Sequence, residues 1–288
     1  MSGQLWALTS HALIMAAIGV LAATIGSLAG LGGGFIVAPI LRIVFTLPPE
    51  QAAATSLVLV LANVASASIA FVRQGRVDLK LALTMGLFAI PGSILGAFLV
   101  KLAAAAWFDL TYAALLGFLA LGMLRYRSNL ADGALARIPW ATQRTFHDNV
   151  SGTDFTYAQS PPIAAAAGVT TGFLSSFFGI GGGVIVVPVL LRIFAMPAHI
   201  VSATSHMVIL LSAPFGVATH ALQGDINWLD AIPLAAGGLL GGQIGAAISR
   251  NLTGPTLVRL LATVLGLAAL SLAFQHINAV GALFHHKN

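Results

Sequence analysis

The 288-residue sequence contains no cysteine and very few charged residues. Without cysteine the chain has no disulfides, no thiol redox chemistry and no cysteine-ligated metal. Only 7% of its residues are charged, whereas 58% are hydrophobic, and the mean hydropathy is +0.95. A soluble domain carries more charge on its surface than this. The composition therefore predicts an integral membrane protein.

The apolar runs contain no carboxylate at their centres. The eight acidic residues all fall in predicted loops or near the ends of runs: Glu50, Asp78, Asp109, Asp132, Asp148, Asp154, Asp225 and Asp230. Because cation and proton carriers usually place a carboxylate in the membrane interior, this distribution favours an anion or a neutral solute as cargo. The sequence also shows no Ser-His-Asp set, no HExxH run and no buried carboxylate pair. It therefore predicts no enzyme activity, no cofactor and no metal site, and an intramembrane hydrolase or transferase is the weaker hypothesis.

Long apolar runs recur along the whole chain. Those near the length of a membrane span, about 20 residues, cover residues 13–28, 52–72, 79–100, 110–124, 163–178, 200–222, 229–249 and 256–274. Two shorter runs, 35–47 and 184–196, each follow a cluster of glycines. No Lys or Arg precedes the first run, so we interpret it as a span rather than a secretory signal.

The chain repeats itself without gaps at an offset of 149 residues, the separation of Gly32 from Gly181. At this offset “GLGGGFIVAP” aligns with “GIGGGVIVVP”, “ATS” at 54–56 with “ATS” at 203–205, and “QG” at 74–75 with “QG” at 223–224. Shared apolar composition cannot produce this ordered set of Gly, Pro, Thr, Ser and Gln. The sequence therefore predicts an internal duplication.

Charge predicts how the two repeats are related. The loop “RQGRVDLK” is basic, whereas its equivalent “LQGDINW” is not, so the two loops are expected on opposite sides of the membrane. The prediction is an all-α membrane protein with about ten transmembrane segments in two inverted five-segment repeats, with short helices following Gly-rich breaks. Residues 1–125 form the first repeat, 126–160 a cytoplasmic linker rich in arginine, and 161–288 the second repeat. If the short runs are instead re-entrant, each half has four crossings and the repeats are parallel.

Basic residues outnumber acidic ones 13 to 8. Lys and Arg collect in the cytoplasmic loops of membrane proteins, and this explains the excess. Nucleic acid is therefore not a predicted partner, whereas membrane lipid and a small anion are. The oligomeric state is left open.

The repeated glycine clusters suggest an anion site. A helix that starts inside the membrane presents unpaired N–H groups and a partial positive charge, and glycine lets a ligand approach the backbone. The candidate residues are Gly32, Gly33 and Gly34 in the first repeat and Gly181, Gly182 and Gly183 in the second. The alternative is that these glycines only let helices pack closely. Close packing is the preferred interpretation for Gly92, Gly96 and the glycines between 237 and 245.

A Thr-Ser pair follows each cluster, and a histidine lies beside the second pair only. Thr55, Ser56, Thr204 and Ser205 are candidate anion donors, or they bond back to their own helices. His206 replaces Leu57 of the first repeat, which makes protons a candidate coupling ion; a neutral hydrogen-bonding role is the commoner one. Arg42 and Arg192 end the short runs, where anchoring to headgroups is preferred over anion attraction.

The paired glycine motifs, each followed by a Pro and an “ATS” stretch, resemble the TauE/SafE sulfite exporter family of membrane permeases. The resemblance covers residues 19–271 except for the linker. It implies a multi-pass permease of the prokaryotic inner membrane that moves sulfur-containing anions such as sulfite or sulfonates, often by export. A passive anion channel, or a permease for another small anion, is the alternative function.

Overall fold

The computed structural model describes residues 2–125, 140–148, 152–249 and 262–271, together with residues 256 and 259. Its helices are α1 (Ser2–Ala29), α2 (Gly34–Ile43), α3 (Pro49–Arg73), α4 (Leu79–Leu99), α5 (Ala105–Leu124), α6 (Pro161–Phe178), α7 (Gly183–Pro188), α8 (Ala198–Leu222), α9 (Trp228–Ser249) and α10 (Ala262–Ser271). A short 3-10 segment, Val100–Leu102, follows α4, and a π-helical segment, Val189–Ile193, continues α7. Residues 126–139 and 149–151 of the predicted linker, and the end of the last predicted segment beyond 271, lie outside the described residues.

Six of the described helices are long and apolar enough to cross a bilayer: α1, α3, α4, α5, α8 and α9. Together they make this a multi-pass membrane protein. The helices after the glycines are short, 10 residues for Gly34–Ile43, which is about 15 Å at 1.5 Å per residue. The ten-segment count stays a prediction.

The predicted all-α fold is wrong in one region, because a β-hairpin occupies the end of the linker. Strand β1 (Thr142–Asp148) pairs antiparallel with β2 (Thr153–Gln159), with Gly152 at φ 66° in the turn. Threonines and aromatic residues favour strands, and both strands contain them in a stretch too polar to enter the membrane. The interpretation of this region as a plain linker overlooked these residues.

The two short helices begin and end in the same way. Gly30, Gly32, Gly179 and Gly181 all have φ between 69° and 86°, a region that side chains disfavour. After each short helix a non-glycine residue, Thr46 or Ala195, also has φ near 55°. These two positions are 149 residues apart, so the backbone repeats together with the sequence.

Helices from both halves mix in two bundles. The first bundle contains α1, α3 and α9, and the second contains α4, α6 and α8. Gly237, Gly241 and Gly245 of α9 abut the backbone of α1 at Ala16, Val20 and Thr24, and the equivalent Gly92 and Gly96 of α4 abut α6 at Val169 and Phe173. Residue numbers increase together along each pair, so the helices of a pair are parallel. Close helix packing explains these glycines, as predicted.

The bundles meet where α3 packs against α8. Leu57, near the start of α3, contacts Gly216, near the end of α8. Phe71, near the end of α3, has its ring centroid 5.2 Å from that of His206, near the start of α8. Helices α3 and α8 therefore run antiparallel.

Candidate functional site

The predicted glycine clusters lie together at the centre of the molecule. We define the first glycine loop as residues 30–34 and the second as residues 179–183; all ten residues are buried. A side chain at Gly34 would collide with the carbonyl oxygen of Gly179, and one at Gly183 would collide with that of Gly30. The two loops are thus in backbone contact, which only glycine permits.

A pair of equivalent serines joins the loops to the opposite halves. Ser56 Oγ of α3 donates a hydrogen bond to the carbonyl oxygen of Gly179 at 2.9 Å. Ser205 Oγ of α8 donates to the carbonyl oxygen of Gly30 at 2.6 Å. Each serine is also within hydrogen-bond distance of a carbonyl three residues back in its own helix, so the bond back to the helix occurs as predicted. Donation to an anion stays a prediction.

The neighbouring threonines also bond across the halves. Thr55 Oγ1 accepts a hydrogen bond from the backbone N–H of Asn227, and Thr204 Oγ1 accepts one from that of Asp78, at 3.1 Å in both cases. Asn227 and Asp78 precede α9 and α4. The threonines therefore hold the entry points of these helices, and a ligand role for them stays a prediction.

His206 is fully buried but faces α3 rather than either glycine loop. Its Nδ1 lies 2.9 Å from the carbonyl oxygen of Ser202, and its ring packs edge-on against Phe71. Its Nε2 has no hydrogen-bond partner among the described residues. The adjacent Ser205 reaches the first glycine loop, so the two predicted site residues point to different places.

A buried polar network, which the sequence reasoning missed, lies beside the loops. Asn63 Nδ2 donates to the carbonyl oxygen of Gly32 at 2.9 Å, and Ser27 Oγ donates to Asn63 Oδ1 at 2.7 Å. Ser176, the equivalent of Ser27, lies 2.6 Å from Ser93 between their Oγ atoms. The recurrence of serine at 27 and 176 in otherwise apolar spans was the available signal.

Three further buried hydroxyls on α5 and α6 lack a hydrogen-bond partner within the described part of the chain. They belong to Thr171 and Ser175 of α6 and Tyr112 of α5. The methyl of Thr171 lies where a side chain at Gly182 would have to go, and the Tyr112 ring stacks on Phe178 at 4.9 Å between centroids.

Several charged residues near helix ends form ion pairs. Arg42 does not extend freely to the headgroups: its Nε and NH1 donate to Asp109 Oδ1 at 2.9 Å and to the carbonyl oxygen of Leu47 at 2.6 Å. At the loop before α9, Asp225 lies 2.8 Å from Lys101 Nζ and 3.3 Å from His220 Nδ1.

Asp78, the N-cap of α4, binds the hairpin. Its Oδ1 accepts a hydrogen bond from the backbone N–H of Leu81 at 3.0 Å and lies 3.6 Å from Arg144 NH1, while Tyr157 donates its hydroxyl to Oδ2. Burial, and then the hydrogen bond to Asp78, raise the pKa of Tyr157 well above its usual value. This asymmetric contact has no counterpart among the described residues near Asn227.

The similarity to known proteins covers most of the chain, including most of both repeats. A family model described as “Sulfite exporter TauE/SafE” matches residues 15–272. “Probable membrane transporter protein YunE” of Bacillus subtilis is 33% identical over 92% of this chain and 98% of its own length. “Probable membrane transporter protein” of Xylella fastidiosa (strain 9a5c) is 29% identical over 90% and 92%, and “Probable membrane transporter protein MJ0441” of Methanocaldococcus jannaschii is 26% identical over 88% and 92%. No solved structure matches significantly.

Proposed function

Because this chain belongs to the TauE/SafE sulfite exporter family of membrane transporters, we propose that it exports a sulfur-containing anion, such as sulfite or a sulfonate, across the prokaryotic inner membrane. The family description supports the cargo and the direction. The absence of carboxylates from the centres of the spans favours an anion independently.

The observation that carries this proposal is the meeting of the two glycine loops at the start of α2 and of α7. Peptide N–H groups at a helix start bind anions without a charged side chain. A site of this kind can hold an anion and still release it. Non-helical backbone at this depth is typical of transporters, in which it lines the substrate path.

The antiparallel packing of α3 and α8 supports an alternating-access mechanism. Two equivalent helices that contact each other in opposite directions are expected if the repeats have inverted topology. In such transporters the site near the midplane is exposed alternately to the two sides as one bundle moves against the other. Here the two bundles would be the moving parts, and the α3–α8 contact the surface between them.

Protons are the candidate coupling ion in this proposal. Nε2 of His206, which has no hydrogen-bond partner among the described residues, lies at the α3–α8 contact. The Phe71 ring that packs against His206 also contacts Arg76, whose guanidinium carbon is 5.6 Å from the ring centroid. Replacement of His206 by Gln should abolish acceleration of anion flux by a pH gradient while leaving exchange of anion for anion.

Uptake of labelled anions into proteoliposomes tests the function. We expect saturable flux of sulfite, thiosulfate or a sulfonate, with counterflow, and little flux of chloride. Gly182→Ala should reduce it at least tenfold, because the new methyl would collide with the Thr171 methyl and push the loop away from α6, while Gly117→Ala should not, since a methyl there is 3.8 Å from its nearest neighbour. Non-saturable flux without counterflow would identify a channel, and absence of sulfur-anion flux would refute the proposed cargo.

A further inference from the structure

A buried arginine, Arg76, lies where the β-hairpin meets the contact between α3 and α8. We call the end of α3 and the start of α8 the hairpin end of this contact, because the hairpin binds Asp78 there and its Phe155 ring lies 5.8 Å from that of His199 between centroids. Arg76 is 1% exposed. Since a buried charge is costly unless it is well hydrogen-bonded, the partners of Arg76 indicate what it does.

Arg76 connects the two bundles. Its NH2 donates a hydrogen bond at 2.9 Å to the carbonyl oxygen of His199, in the first turn of α8. Its NH1 donates to Ser249 Oγ, at the end of α9, at 3.4 Å, and its guanidinium carbon lies 5.6 Å from the Phe71 ring centroid of α3. Helices α3 and α9 belong to the first bundle and α8 to the second. The guanidinium is therefore packed on the first bundle and bound to the second.

A serine adds a further bond between the bundles near the same end. Ser202, three residues beyond His199 in α8, donates from its Oγ to the carbonyl oxygen of Ser27 in α1 at 3.1 Å, and it lies 3.3 Å from that of Leu28. The equivalent residue of the first half is Ala53, which has no hydroxyl. This bond therefore has no counterpart from the equivalent position of α3.

The opposite end of the contact, formed by the start of α3 and the end of α8, is built differently. Asp225 is the equivalent of Arg76 there. Its carboxylate lies 2.8 Å from Lys101 Nζ and 3.3 Å from His220 Nδ1. Lys101 directly follows α4 and His220 lies in α8, so both partners belong to the second bundle. Within the described part of the chain, the Asp225 carboxylate forms no ion pair with the first bundle.

We propose that Arg76 is the gate residue of the hairpin end, an inference that rests on the alternating-access mechanism of the proposed function. For the bundles to separate at this end, the hydrogen bond from Arg76 to His199 and the bond from Ser202 to α1 must break. At the opposite end Asp225 and its partners move together with the second bundle, so separation leaves their ion pairs intact. The structure is closed at the hairpin end, and Arg76 determines how often this end opens.

Cysteine labelling of the purified protein in detergent tests the gate without any anion. Ala203 of α8 and its equivalent Ala54 of α3 are both 0% exposed. Ala203 packs at the hairpin end in a cluster with Phe71 of α3, and Ala54 packs at the opposite end in a cluster with Ile226. Because the chain has no cysteine, Ala203→Cys and Ala54→Cys each provide a single thiol that reacts only when its end of the contact opens.

Arg76→Gln should accelerate maleimide labelling of Ala203→Cys by about 10- to 100-fold, because opening no longer breaks a hydrogen bond from a charged donor. Labelling of Ala54→Cys should not change. Arg76→Lys, which keeps the charge and a donor, should accelerate labelling of Ala203→Cys less than Arg76→Gln does. Asp225→Asn is the matched control, because it removes the charge from the equivalent position and should leave the labelling rate of Ala203→Cys unchanged.

Unchanged labelling of Ala203→Cys in a monodisperse Arg76→Gln protein would overturn this inference. If Arg76→Gln accelerates labelling at both ends, the whole protein is loosened, and Arg76→Lys becomes the test: acceleration at Ala203→Cys alone supports the gate, and any other result refutes it. Sulfite flux is measured separately in wild type. Flux without any effect of Arg76 on labelling refutes the gate alone, whereas selective labelling without flux of any sulfur oxyanion refutes the proposed cargo alone.

Discussion

Asp78 shows how one buried side chain can join separate parts of the chain. It caps α4, its backbone N–H binds Thr204 of the other half, and its carboxylate binds Tyr157 and Arg144 of the hairpin. The sequence placed Asp78 correctly in a loop near a span end. It did not reveal the partners, because the hairpin lies 60 residues or more further along the chain and nothing in the local pattern specifies where it docks.

Loss of the Tyr157 hydroxyl should loosen the hairpin. A hydrogen bond to a charged group contributes about 2 kcal/mol, so Tyr157→Phe should accelerate proteolytic cleavage of the hairpin about 30-fold if cleavage requires undocking. Thr145→Ala, an exposed change on β1, is the control. Equal cleavage rates in wild type and Tyr157→Phe would show that this bond does not hold the hairpin.

The same bond predicts a pH dependence. Since the pKa of Tyr157 is raised in the folded protein, its contribution is complete below the ordinary value near 10 and is lost as the pH rises through the folded value. The ratio of cleavage rates between Tyr157→Phe and wild type, measured with an alkaline-stable protease, should stay constant from about pH 6 to pH 9. It should fall towards one above about pH 10; a fall at neutral pH would contradict the assignment.

At the scale of elements, the short helices and the long helices of opposite halves depend on each other. The repeat offset predicted that the two glycine clusters are equivalent, and the structure agrees. It could not predict that Ser56 binds Gly179 rather than Gly30, because a serine in the first half gives no sign of a partner in the second. The β-hairpin was also not predicted, because its two strands are short and polar whereas the predicted elements rested on long apolar runs.

The crossed serine bonds should stabilise the protein measurably. Ser56→Ala and Ser205→Ala each leave one loop carbonyl without its donor, which costs about 1 kcal/mol and lowers the apparent Tm by about 2–4 °C. Ser10→Ala, whose hydroxyl bonds back to the carbonyl oxygen of Ala7 within α1, should not change it. Thermal unfolding in detergent measures the Tm of all three variants. An unchanged Tm in both Ser56→Ala and Ser205→Ala would show that these bonds do not stabilise the protein.

The loop contact should not tolerate a methyl group. Gly34→Ala and Gly183→Ala each drive a Cβ into a backbone carbonyl of the opposite loop, which cannot move without displacing a helix. We expect loss of the monodisperse peak in size-exclusion chromatography. Gly117→Ala, in an open stretch of α5, should be neutral or slightly stabilising, by up to about 1 kcal/mol. Normal folding of Gly34→Ala would mean that the loops lie further apart.

At the scale of the whole molecule, the remaining prediction concerns orientation. Arg73 and Leu222 are equivalent, exposed positions at the ends of α3 and α8. In inverted repeats they face opposite sides of the membrane. Since the natural chain has no cysteine, Arg73→Cys and Leu222→Cys each provide a single label site. An impermeant maleimide added outside intact cells should label Leu222→Cys but not Arg73→Cys; labelling of both from one side would establish parallel repeats.

The mixed composition of the two bundles has a consequence for biosynthesis. Helix α1 leaves the ribosome first, but its packing partner α9 is made only after more than 190 further residues. In the same way, α4 must wait for α6 and α8. The nascent first half is therefore held in the bilayer with its glycine-lined faces covered only by lipid, and the first bundle is completed only after α9 has been synthesised. Either half expressed alone should be degraded, whereas the two halves produced as separate chains should find each other and assemble.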